Sequence, residues 1–210
     1  MRPPRLPRLF WLGAVCYVTI TILAATHALD SLDRATYRFT VRHHHATLTA
    51  AARHLTDFFS PLADSGFLAV GAATLAWIRR RPSIFITAAL FEGVMAALVL
   101  SVKVGIARPL PHTPPGGQAE AFPSGHTATF LVCFGVLALI ATQPGERSRR
   151  VALTSVGVGT VVMAAALVYD AFHWLFDTLG SIALGVALLS LLWAKLPPTR
   201  QPRPPTADDA

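Results

Sequence analysis

Long apolar blocks separated by short polar breaks dominate this chain. They run roughly over 9–29, 62–78, 83–102, 126–142, 151–168 and 178–193. An apolar run approaching ~20 residues is long enough to cross a bilayer as a helix. The pattern predicts an all-α polytopic membrane protein, a bundle of six transmembrane helices. Residues 30–60 are too polar to span. Within them Leu48, Ala51, Ala52, Leu55, Phe58 and Phe59 follow helical spacing. That predicts an amphipathic helix over 46–59, lying at the interface between the first and second spans. Residues 1–196 read as one membrane domain, with no internal repeat. The proline-rich tail 197–210 reads as disordered. A cleaved signal peptide is the alternative for the first block, because Thr26-His27-Ala28 loosely resembles a cleavage site. The block exceeds the ~7–15 residues of a signal core, which favours an uncleaved span.

Composition agrees. Hydrophobic residues make up 53% of the chain and charged residues 14%. A net charge of +7 in a soluble protein would suggest a nucleic-acid partner. Here the arginines flank apolar blocks, so the partner is the bilayer and nucleic acid is not expected. Six spans put both termini on one side. Twelve of the 18 Lys and Arg residues fall on that side, including Arg79, Arg80, Arg81, Arg147, Arg149 and Arg150. The bias predicts cytoplasmic termini in a plasma membrane. Cys16 and Cys133 lie within apolar blocks and form no disulfide framework.

The chemistry gathers at the opposite side. Phe122-Pro123-Ser124-Gly125-His126-Thr127 stands directly before the fourth span. Ser124 suits a helix N-cap, and the amides that follow would face an anion at the positive end of the helix dipole. Gly125 permits close backbone approach. His126 can give or take a proton near neutral pH. Lys103, Arg108, His173 and Asp177 fall at span ends on the same membrane face. Lys103 and Arg108 can hold an anion. One histidine can attack phosphorus while a carboxylate orients it, and the other can protonate a leaving oxygen. Glu92, inside the third span, reads either as a functional acid or as a packing residue. The His43-His44-His45 run reads either as a metal or anion site or as solvated surface.

These residues resemble the motifs of the phosphatidic acid phosphatase type 2 superfamily of membrane lipid phosphatases. Pro123-Ser124-Gly125-His126 matches its second motif, and His173-x3-Asp177 matches the core of its third. The first motif keeps Lys103, followed by Arg108-Pro109. The resemblance implies that His173 is a nucleophile forming a phosphohistidine, Asp177 its orienting carboxylate and His126 the general acid. Lys103, Ser124 and Gly125 would bind phosphate. The substrate would be a membrane lipid phosphate or polyprenyl diphosphate, cleaved at the extracytoplasmic face with no metal or cofactor.

Two family arginines are missing, since strict spacing puts Leu110 and Leu167 at their positions. Asp170 adds a carboxylate near the nucleophile. The expectation is that Arg108 takes over the first-motif role, with His112 and the basic segment 34–53 as lesser substitutes. Two alternatives stand beside hydrolysis. One is a relative that has lost catalysis and binds, scaffolds or transports lipid. The other is a metal-assisted or transferase variant, because Asp170, His173 and Asp177 have i, i+3, i+7 spacing.

Overall fold

The computed structural model describes residues 6–112, 120–142 and 147–196. The tail 197–210 and the turns at Pro114–Gly117 and Pro144-Gly145 lie outside the described residues. The described residues form helices and connecting turns: α1 Arg8–Ala25, α2 Asp30–Arg42, α3 Ala46–Phe58, α4 Pro61–Arg79, α5 Ser83–Ile106, α6 Gly125–Ala141, α7 Arg147–Tyr169 and α8 Leu175–Lys195.

Five of these, α1, α4, α5, α7 and α8, are long and apolar enough to cross a membrane. The expected fourth span, α6, has 17 residues, or about 26 Å at 1.5 Å per residue. It packs against α4, α5, α7 and α8. Twelve of its residues are buried, so its apolar surface meets protein nearly all round, as a central helix requires. The outer helices instead leave Leu12, Val15, Val70, Trp77 and Val161 exposed, giving the bundle an apolar exterior. Small residues let the helices close up. A Cβ on Gly13 of α1 would lie 2.8 Å from the Ala183 carbonyl oxygen of α8.

Arg79 donates to the Ile140 and Ala141 carbonyls at 2.6 and 2.8 Å. Arg149 donates to the Leu139 carbonyl at 2.7 Å and to the Thr142 hydroxyl at 3.1 Å. Both place positive charge where the helix dipole of α6 is negative. The arginine-rich turns thus cluster at the C-terminal end of α6, and the motif residues surround its N-terminal end.

The amphipathic helix expected over 46–59 is α3. The sequence pattern did not reveal α2 before it, which packs with α3 against α7. Between them the histidine run forms a turn pinned by Tyr169, whose hydroxyl donates to the His43 carbonyl and accepts from the His45 amide. Within the bundle, Asp64 of α4 is fully buried, and neither of its oxygens has a hydrogen-bond partner among the described residues. Glu92 of α5 is partly buried, and both carboxylates lie within electrostatic reach of Cys133 on α6.

Candidate active site

Ser124 starts α6 and is fully buried. Its hydroxyl oxygen accepts from the Thr127 amide at 3.4 Å and the Thr127 hydroxyl at 3.2 Å. Its amide donates to the Asp177 carbonyl at 3.1 Å, and its own carbonyl accepts from the Ser181 hydroxyl at 2.8 Å. The second motif is therefore bolted to the start of α8. With the Ser124 hydroxyl facing Thr127, the amides of Gly125 and His126 remain as the donors a helix start offers to an anion.

Between α7 and α8 the chain breaks sharply. Ala171 has φ 57°, and the Phe172 and His173 amides turn back onto the Leu167 carbonyl at 2.9 and 3.2 Å. The break delivers His173, 4% exposed, into the bundle. Asp177, in the first turn of α8, is fully buried. Its Oδ2 accepts from the Trp174 amide at 3.0 Å and lies 3.3 Å from His173 Nδ1. A proton on Nδ1 in that bond leaves the lone pair on Nε2. The His126 ring centroid is 6.4 Å from that of His173, and Phe172 packs against both rings. Lys103, in the last turn of α5, donates to the Glu120 carbonyl and lies within electrostatic reach of His126 and Asp177.

Arg108 enters from a second break. Ala107 ends α5 with φ 50°, a left-handed conformation that costs an L-residue about 1–2 kcal/mol. Arg108 is 3% exposed. Nη1 donates to Asp177 Oδ1 at 2.7 Å, and Nη2 donates to Asp33 Oδ2 at 2.6 Å and Asp30 Oδ1 at 3.2 Å. Asp33 also accepts from the Phe176 amide at 3.2 Å, and Trp174 Nε1 donates to the Pro109 carbonyl at 2.8 Å. Burial disfavours the guanidinium charge, but the Asp177 and Asp33 carboxylates outweigh it and push its pKa above the usual arginine value. Its place in the sequence makes Arg108 a candidate phosphate ligand. Its terminal nitrogens instead face carboxylates of α2 and α8, because α2, unseen in the sequence pattern, brings Asp30 and Asp33 over the motif.

A cavity of ≈ 380 Å³ opens beside His126, lined also by Arg53, Asp57, His112, Asp170 and Phe172. Arg53 Nε donates to both oxygens of Asp170 at 3.0 Å. Asp170, His173 and Asp177 do not share a helical face, because the helix is interrupted between Tyr169 and Leu175. Leu110 is partly buried, and Leu167 is fully buried in a cluster with Phe130 and Met163. Sequence reasoning missed Asp33 and Asp57, and saw Arg53 only as part of a basic segment. Their role comes from where α2 and α3 dock, and the one local signal was the amphipathic spacing of α3.

A sequence model of the PAP2 superfamily matches residues 39–201. Among solved structures, a transmembrane PAP2-type phosphatidylglycerolphosphate phosphatase from Bacillus subtilis matches with a TM-score of 0.73 at 23% identity. The match covers 87% of this chain and 94% of that one, a likeness of fold. No curated protein matches the chain in sequence.

Proposed function

The chain belongs to the PAP2 superfamily, and on that premise we propose that it hydrolyses a lipid phosphate or polyprenyl diphosphate at the extracytoplasmic face of the plasma membrane. The observation that carries this reading is the pairing of His173 Nδ1 with buried Asp177, beside His126 at the start of α6. His173 Nε2 attacks phosphorus, the phosphorus–oxygen bond to the lipid breaks, and His126 gives its proton to the leaving oxygen. Water then attacks the phosphohistidine, His126 takes its proton, and orthophosphate leaves. Lys103 and the amides of Gly125 and His126 stabilise the phosphoryl oxygens, with Ser124 holding that turn in shape. Arg108 acts one step back, by fixing Asp177. In this scheme protein groups supply the charge that a metal would otherwise supply.

A second reading has its own support. The family's two arginine positions carry Leu110 and Leu167, and Arg108 is paired with carboxylates. A site so short of positive charge suits a relative that binds lipid phosphate without cleaving it. The deciding experiment is phosphate release by purified protein from a panel of lipid phosphates and diphosphates, with and without chelator. Chelator-insensitive release supports hydrolysis by protein groups. Release lost with chelator overturns the metal-free scheme, and no release from any lipid favours the second reading.

A further inference from the structure

Arg53 and Asp170 belong to none of the three family motifs, yet they meet in the cavity beside His126. We propose that Arg53 is a phosphate-binding residue of this site, held on Asp170 so that its two terminal amino groups meet phosphate oxygens next to His126. The proposal rests on the phosphatase reading only for where the phosphate sits.

The geometry of the pair is unequal. Asp170 is 10% exposed and Arg53 64% exposed, so the carboxylate is fixed and the guanidinium is open to the cavity. Asp170 takes Nε alone. Neither Nη1 nor Nη2 has a hydrogen-bond partner among the described residues. An arginine bound through Nε keeps both of those groups for an oxyanion, and its planar fork suits phosphate. A partly exposed ion pair contributes little stability, so folding alone gives little reason for this one.

The site's charge balance points the same way. A phosphoryl group in transfer spreads negative charge over its equatorial oxygens. Arg108 is committed to Asp33 and Asp177, leaving Lys103 as the motif cation that does not face a carboxylate in a hydrogen bond. Arg53 brings a second cation from α3. Asp170, an added carboxylate near His173, positions that cation. Asp57 lines the same cavity but sits exposed on α3, where solvent screens it. His126 lines this cavity and its ring stands 6.4 Å from that of His173, so with His126 as the general acid Arg53 approaches from the leaving-group side. The oxygens it meets belong either to the scissile phosphate or to the second phosphate of a diphosphate.

The test is calorimetric binding of orthophosphate and of pyrophosphate to the purified full-length protein. Wild type is compared with Arg53→Ala, Arg53→Lys and Arg38→Ala, the last removing an exposed charge from neighbouring α2. We expect Arg53→Ala to weaken anion binding at least ~10-fold, the scale of a lost charge-assisted hydrogen-bonded pair. Arg53→Lys should recover part of the loss, and Arg38→Ala should bind as wild type. Equal losses for the two anions assign Arg53 to the scissile phosphate, and a larger loss for pyrophosphate assigns it to the second. Wild-type affinity in Arg53→Ala, an equal loss in Arg38→Ala, or no anion binding by wild type overturns the proposal. Anion binding that depends on Arg53 in a protein that releases no phosphate from any lipid keeps the residue's role and sinks the hydrolase reading. Turnover that ignores Arg53→Ala in both binding and kcat/KM does the reverse.

Discussion

Arg108 Nη1 lies 2.7 Å from Asp177 Oδ1, and both side chains are almost wholly buried. The other oxygen of Asp177 faces His173. The carboxylate that would orient the nucleophile is thus held by an arginine, which is in turn held by Asp33 of α2. Removing one partner of such a buried pair leaves the rest uncompensated. Arg108→Ala should cost about 3–5 kcal/mol of stability and lower turnover as well. Asp33→Asn keeps the bond to Asp177 and should cost less. Thermal unfolding in detergent alongside kcat/KM separates the two. An Arg108→Ala protein as stable as wild type would contradict the buried network.

The nucleophile prediction is independent of stability. His173→Ala should abolish turnover, and acid-labile phosphate should be trapped on the wild-type chain during reaction. His126→Ala should spare trapping when the leaving group is already a good one, since a general acid then matters less. Full activity in His173→Ala refutes the scheme.

Leu167 occupies the place of a family arginine. Restoring that residue should not restore the charge to the site. Leu167 packs at 0% exposure among Phe130 and Met163. Leu167→Arg therefore forces a guanidinium into an apolar cluster, at a cost of several kcal/mol. Gel filtration and thermal unfolding should report a loosened or aggregated protein. A stable and more active Leu167→Arg variant would mean that the pocket still has room for the arginine.

Topology is testable at two exposed positions. His112 lies at the site end of the bundle and Arg81 at the arginine-rich end. With His112→Cys and Arg81→Cys, an impermeant thiol reagent on intact cells should label position 112 and spare 81. The reverse labelling would invert the orientation.

Asp64 carries a buried carboxyl without a hydrogen-bond partner among the described residues. Asp64→Ala removes that desolvated group and leaves only a small void. It should raise stability by about 1–2 kcal/mol in thermal unfolding. A fall in stability would show that a partner holds Asp64 in place.

Much of this protein was legible because the bilayer is a demanding solvent. Helices that face lipid must be apolar along their whole length, so block lengths alone marked six apolar helices, five of them long enough in the structure to cross a membrane and α6 shorter. Capping and turn chemistry are equally local. Ser124 caps α6 as its position before the apolar run suggested, and α3 follows the spacing of its apolar residues.

What the sequence could not decide is where polar side chains from distant segments meet. The sequence determined the six apolar helices and α3, the basic asymmetry of the two ends and the motif residues at one end of the spans. The tertiary structure alone placed α2 so that Asp33 meets Arg108 across 75 residues of chain, and α3 so that Arg53 meets Asp170 across 117. Motif spacing fixes neighbours on one element, whereas a guanidinium finds its carboxylate through helix docking. Arg108, a candidate phosphate ligand by its place in the chain, is paired with Asp177 and Asp33 in the fold.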